Sequence, residues 1–454
     1  MSSQPLSKHF KATFLIAYPI VLSQLGHITV GVADSIMVGE LGTDPLAAVS
    51  LANSIFSLVL MFGIGVSMAI TPLVAAADGE GDRQRSGIIF RHGLVINLLA
   101  AILLGLLILG SSSLLPLLEQ PEQVVEITIP YLLIITSSLL PFMFFQTFKQ
   151  YAEGLSYTRT AMFITLSANL LNIALNYLLI YGKFGFPELG LNGAGWATLI
   201  SRIVMAVVMF LYATRASWFR QNLSIQQLRK PLIVRMLKIG IPTGFQYVFE
   251  VGAFSCAAIM MGWLGAQALA AHQIALNMAA VSYMMVTGIA AASTVRVGNQ
   301  LGKQDIPNMR RAGFSAIMMG LGLMSVAAVI FVTGKYFLPS LYIDEPEVIE
   351  LAGSLLIIAA FFQLSDGAQA VGLGALRGMA DVKVPTIITL IAYWIIGLPV
   401  GYWLAFGMEM GPHGIWMGLL ISLTMAAVLL FVRFHYLSKR LQRSFPTAQK
   451  AQAA

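Results

Sequence analysis

The chain has 454 residues, of which 57% are hydrophobic and only 10% charged, with a mean hydropathy of +0.80. Soluble domains carry about a quarter charged residues, so a soluble globular protein is excluded and a polytopic membrane protein expected. The 27 Lys and Arg against 20 Asp and Glu leave a net charge of +7, and the placement of those charges decides whether they imply a nucleic-acid partner. A single cysteine, Cys256, in an apolar run excludes a disulfide framework and a multi-cysteine metal site.

A short polar tail, Met1 to Lys11, leads straight into the first apolar run and is expected to remain unprocessed. Mostly apolar runs follow at 12–38, 46–76, 88–110, 127–150, 160–182, 193–214, 234–262, 268–298, 312–337, 350–376, 384–407 and 412–436. Each reaches the roughly 20 residues that a helix needs to cross a bilayer core, which predicts twelve transmembrane helices and an all-α fold. The loops after the even-numbered runs carry Arg83, Arg85, Arg159, Arg215, Arg220, Arg229, Lys230, Arg296, Lys303, Arg310, Arg311, Arg377 and Lys383, whereas the opposite loops carry mainly Glu40, Asp44, Glu119, Glu122, Glu126, Asp344, Glu345, Glu347 and Glu350. Because Lys and Arg are retained on the cytoplasmic side, both termini are expected in the cytoplasm. The positive balance is then an orientation signal, and no nucleic acid is needed to explain it.

The chain also resembles itself. Displacing it by 223 positions brings Pro19 onto Pro242, Leu41-Gly42 onto Leu264-Gly265, Gly65 onto Gly288, Thr71 onto Thr294, Gly79 onto Gly302, Asp82 onto Asp305 and Gln146 onto Gln369. Two homologous six-helix bundles are therefore expected: a first lobe over 1–213, a linker over 214–233, a second lobe over 234–436 and a tail over 437–454. An even number of spans per repeat gives both lobes the same orientation, an arrangement found among secondary transporters.

Only Asp34, Arg202, Glu250 and Asp366 carry charge well inside apolar runs. An acid at the bilayer centre costs about 2.5 to 3.5 kcal/mol on insertion scales, so such residues are expected to face a cavity and to act there. A carboxylate removed from water either takes up a proton or holds a hard cation through its oxygens, and both outcomes make it an ion-coupling element. The acids are placed asymmetrically, since the displacement puts Asp34 on Ala257 and Glu250 on His27. His27 and Asp34 share a face of the first helix, as do Glu250 and Phe254 of the seventh. Asn169, Asn172 and Asn176 form a polar stripe on the fifth. Twenty-three methionines add polarizable surface that can repack around different ligands.

Taken with the segment Gly31-Val32-Ala33-Asp34-Ser35-Ile36-Met37-Val38-Gly39 and with Leu269-Ala270-Ala271-His272-Gln273-Ile274-Ala275-Leu276-Asn277, these features resemble the multidrug and toxic compound extrusion family, in its bacterial NorM-type branch. The resemblance runs from about Phe14 to Phe431. It implies a multi-pass protein of the bacterial inner membrane, functional as a monomer, that exports cationic amphipathic compounds by alternating access, driven by Na+ or H+ and by no other cofactor. Carried over residue by residue, it makes Glu250, Asp366 and Asp34 the cation-coupling acids, with Na+ at Glu250 and Asp366. Phe254 and Tyr283 become aromatic neighbours of a bound cation, and Asn172, Asn176 and Thr198 polar neighbours of Asp34. Some relatives carry a second acid where this chain has Asn176, which shifts weight to the Glu250 and Asp366 side. Glu345 falls near a position that contacts drug in a relative.

Enzyme readings lack their groups. Gly79-Glu80-Gly81-Asp82 matches the GxGD pattern of intramembrane aspartyl proteases, but it lies in an Arg-rich loop and has no partner acid motif; HExxH, GxSxG and a phosphate loop are absent from the sequence. The alternative is a lipid-linked oligosaccharide flippase of the same superfamily, whose pyrophosphate cargo requires a basic cavity. Arg202 alone stands against three acids here.

Overall fold

The structure, a computed structural model, describes residues 5–112, 115, 121–216, 219 and 228–452, the last eight by backbone only. Glu119, Arg220 and half of the 214–233 linker lie outside the described residues. Twelve helices are long and apolar enough to cross a membrane: α1 Leu6–Gly39, α2 Thr43–Glu80, α3 Arg83–Ser112, α4 Glu122–Gly154, α5 Thr158–Tyr181, α6 Gly190–Arg215, α7 Lys230–Trp263, α8 Ala266–Gly302, α9 Ile306–Thr333, α10 Pro346–Gly378, α11 Lys383–Gly407 and α12 Pro412–Ser444. Each contains or overlaps one expected span. The described residues contain no strand, as expected of a lipid-immersed chain that must satisfy its backbone groups within closed helices.

Several shared sequence features acquire a structural cause. Gly42 and Gly265 both stand at φ 117°, in the turns between α1 and α2 and between α7 and α8, a conformation that L side chains rarely adopt. Asp82 accepts the backbone N–H of Arg85 at 2.9 Å, and its counterpart Asp305 accepts that of Asn308 at 3.2 Å. The aspartate of the GxGD pattern is thus a helix cap at the start of α3, and Asp305 repeats it at the start of α9.

Three helices are interrupted, and proline accounts for one break in each. A proline ring displaces the carbonyl four residues earlier. Pro72 does so at the α2 break between Ser67 and Ile70, and Pro141 at the α4 break around Ser138. In α11, Pro399 follows a π-helical segment, Ile391–Gly397, that absorbs the lost bond.

The chain divides into two compact units. One comprises residues 1–21, 78–80 and 245–454, the other residues 22–77 and 81–244. Their borders fall inside α1 after Val21 and inside α7 after Gly244, two positions related by the same 223-residue displacement. Each unit therefore combines the bulk of one repeat with the opening segment of the other repeat's first helix. In the second unit, a methyl group on Gly65 of α2 would lie 2.4 Å from the Gly244 Cα of α7, while in the first unit one on Gly288 of α8 would lie 2.5 Å from Val21 Cγ2 of α1. Those two contacts are repeat counterparts.

The first unit is organised around α10, which packs on α8, α9 and α12 over a core that includes Leu355, Phe362, Trp416 and Leu423. The second has α5 on α6 and α4 on α2, α3 and α6, with Phe90, Phe148, Tyr151 and Phe219 in mutual ring contact. Phe219, a residue of the linker, is itself fully buried in this aromatic core. Leu99, Ile102, Leu103, Leu106 and Leu107 of α3 are exposed, and lipid is the environment that suits them.

Candidate functional site

Each unit gathers its own membrane acids among polar and aromatic groups. In the second unit, α1 contributes Asp34, α5 contributes Asn172 and Asn176, and α6 contributes Thr198 and Arg202. The Asn176 amide donates to Asp34 Oδ1 and to Asn172 Oδ1 at 3.3 Å; Asn172 in turn donates to Thr198 Oγ1 at 3.5 Å. Asn176 is fully buried and its Oδ1 has no hydrogen-bond donor, which leaves an open oxygen beside the carboxylate. The i, i+4 spacing of Asn172 and Asn176 on α5 makes this line possible. Asn169 does not join it, because its amide is aimed at Gly26, where an added Cβ would lie 2.8 Å away. Gly26 leaves room for it more than two helical turns from Asp34.

Arg202 is held on three sides. Its Nη1 donates to Ser138 Oγ at 2.7 Å, and its guanidinium lies 5.3 Å from the Phe56 ring centroid and 4.9 Å from that of Phe142. Ser138, fully buried, stands at the α4 break. Arg202 is also within electrostatic reach of Asp34 and Tyr131, and His27 within that of Lys149 and Arg202.

In the first unit, Glu250 of α7 is 6% exposed and Asp366 of α10 is 5% exposed. Tyr283 of α8 donates its hydroxyl proton to Glu250 Oε1 at 3.0 Å. The two carboxyl groups lie within electrostatic reach of each other, and Tyr283 and Tyr393 lie within reach of both. Tyr393 is fully buried, donates to Gln369 Oε1 at 3.0 Å and stands 6.2 Å, centroid to centroid, from Phe254. The structure thus brings Glu250, Asp366, Tyr283 and Phe254 into one cluster. Neither acid forms an ion pair among the described residues.

Three members of this cluster were not singled out from sequence as site residues. Tyr393 and Trp394 sit in the π segment of α11; the Trp394 indole N–H donates to the Phe249 carbonyl at 2.9 Å, one residue before Glu250. Gln369 carried a signal, its match to Gln146 in the repeat. By contrast, His272 of the Leu269 to Asn277 motif packs in the core: its Nδ1 accepts the Trp416 indole N–H at 3.2 Å, and Trp416 stacks on Phe362. Glu345 is exposed at the start of α10. Among the described residues no group of three or more His, Cys, Asp or Glu converges to hold a metal ion. Any ion in either cluster would therefore need hydroxyl, amide or carbonyl oxygens beside the carboxylates.

The family model described as MatE matches residues 19–178 and 242–403, one stretch in each repeat. The chain is 34% identical over 431 residues to the multidrug resistance protein NorM of Photobacterium profundum, covering 93% of this chain and 94% of that one. It is 35% identical over 439 residues to the multidrug resistance protein MdtK of Yersinia pseudotuberculosis serotype O:1b (strain IP 31758), covering 95% and 96% respectively. The crystal structure of the eukaryotic MATE transporter AtDTX14 superposes with a TM-score of 0.86 at 22% identity, over 97% of this chain and 99% of that one, a likeness that shows the fold.

Proposed function

The chain belongs to the MatE family, and from that premise we propose that this multi-pass membrane transporter is an ion-coupled antiporter of the bacterial inner membrane, exporting cationic amphipathic compounds by alternating access. The observation that carries the reading is the buried pair Glu250 and Asp366, within electrostatic reach of each other, with Tyr283 bonded to Glu250 and neither acid in an ion pair among the described residues. A buried, unpaired carboxylate is costly unless a cation accompanies it. Such a pair therefore favours being occupied, by Na+ or H+ in one state and by a cationic compound in another. Competition for the same oxygens is a sufficient basis for exchange, since the site is relieved of one cation as it accepts the other.

Phe254 and Tyr283 supply rings beside the acids, and a ring face attracts a cation by about 0.5 to 2 kcal/mol. Asp34, with Asn172, Asn176 and Thr198, forms the second candidate ion site, whose oxygens suit a hard cation. The lobes are assigned to residues 1–213 and 234–436, the termini to the cytoplasm, and the functional unit to a monomer. Against a flippase for lipid-linked oligosaccharides stands the engagement of Arg202, whose guanidinium is taken up by Ser138 and two phenylalanine rings.

The test is ethidium efflux from proteoliposomes under an imposed Na+ gradient and, separately, an imposed pH gradient. Stimulation by one gradient, lost in Glu250→Gln and Asp366→Asn, is expected and identifies the ion. Stimulation by neither, or undiminished efflux in both variants, overturns the assignment.

A further inference from the structure

Away from both acid clusters, the second unit contains a cavity of about 750 Å³ at the Arg-rich end of the helices, lined by the start of α3, the second half of α2 and the start of α7. Its rim carries Arg85, Arg229 and Arg235, and its wall Leu73, Ile88 and Leu232. Asp82 also borders it and caps α3 through the Arg85 backbone N–H; one aspartate against three arginines leaves the lining with a positive balance. Arg229 and Arg235 have exposed side chains and form no ion pair among the described residues.

The rim is built rather than incidental. His92, buried beneath it, accepts the Arg229 backbone N–H at Nε2 at 2.7 Å, while its Nδ1 lies 2.7 Å from the Ile88 carbonyl oxygen. Those two bonds require the neutral ring with its proton on Nδ1, and they fix where the linker's end presents its arginine. Leu228 and Val234, each next to a rim arginine in sequence, are exposed apolar residues, as is Ile241 farther along α7. The basic rim therefore continues into lipid-facing surface.

We propose that this cavity binds an anionic phospholipid, with its phosphate among Arg85, Arg229 and Arg235 and the upper part of its acyl chains along Leu73, Ile88 and Leu232. Basic pockets at the membrane boundary suit such headgroups, and the volume lies in the range of small-molecule sites, about 300 to 1,000 Å³. The apolar wall selects a lipid over a free phosphate, which would gain nothing from it.

Native mass spectrometry of the purified full-length protein in detergent tests this, with palmitoyl-oleoyl phosphatidylglycerol, the matching phosphatidylcholine and glycerol phosphate as probes. Phosphatidylglycerol is expected to bind in preference to phosphatidylcholine. Arg229→Gln and Arg235→Gln should each weaken it roughly fivefold, with Arg235→Lys close to wild type and Lys303→Gln, on a different loop, without effect. The site is overturned if phosphatidylcholine binds equally or if Lys303→Gln costs as much as the rim variants. Full displacement of the lipid by equimolar glycerol phosphate overturns the lipid assignment in favour of a phosphate site.

Discussion

Tyr283 reaches from α8 to donate its hydroxyl proton to Glu250 Oε1 of α7 at 3.0 Å, so one of the two buried acids of the first unit is stabilised in its charged form by a neutral donor. A hydrogen bond to a charged group contributes about 1.5 to 3 kcal/mol. Removing it with Tyr283→Phe penalises the ionised, empty carboxylate and leaves the loaded one comparatively favoured. The driving ion should then bind about tenfold more tightly while maximal efflux falls, because release becomes slower. Initial efflux rates against ion concentration in proteoliposomes check this; a raised half-saturating concentration contradicts it.

The asparagine stripe of α5 should split by function. Asn176 bonds Asp34 and Asn172, whereas Asn169 is aimed at Gly26 and has no hydrogen-bond partner at its amide nitrogen. Leaving a buried polar group without its partner costs about 1 to 3 kcal/mol. Asn176→Ala is expected to lower ethidium efflux at least several-fold, and Asn169→Ala to leave it within twofold of wild type. Both proteins should reach the membrane in equal amounts by immunoblot, and equal efflux from the two would remove Asn176 from the site.

Gly65 and Gly244 place α2 and α7 back to back, with no room for a methyl group between backbones. Backbone cannot swing aside as a side chain does, and overpacking costs about 1 to 3 kcal/mol. Gly65→Ala should therefore lower the melting temperature of the purified protein. Gly322→Ala in α9, where nothing lies within 4 Å, should hold or raise it, since Ala is the better helix former by roughly 0.8 to 1 kcal/mol. Equal melting temperatures would show that α2 and α7 can separate at no cost.

The helices were legible because a bilayer imposes length and apolar composition on each of them, and the duplication because its shared residues serve local needs: Gly42 and Gly265 for a positive-φ turn, Asp82 and Asp305 for a cap. Glu250, Asp366 and Asp34 stood out through the cost of placing charge in hydrocarbon. Tyr393 did not, because an aromatic residue in an apolar run looks like lipid-facing bulk; what turns it inward lies in the π segment ahead of Pro399, and neither a 3.6-residue nor a 2-residue period reveals that. The unit borders after Val21 and Gly244 were equally hidden, since hydropathy is continuous through α1 and α7. His272 shows the reverse: a distinctive motif whose histidine turns out to serve packing against Trp416.

Arg202 combines a structural and an electrostatic role that two substitutions can separate. Its planar fork bonds Ser138 and spans the Phe56 and Phe142 rings, a geometry that a lysine ammonium cannot reproduce. Its charge also acts on Asp34, opposing the binding of a second cation there. Arg202→Lys should lower the melting temperature while keeping the ion dependence of efflux within twofold. Arg202→Gln should lower it as well, and in addition reduce the half-saturating concentration of the driving ion severalfold, because Asp34 loses its nearby positive charge. If both variants melt early but share the wild-type ion dependence, the guanidinium braces α4 against α6 and has no part in tuning Asp34.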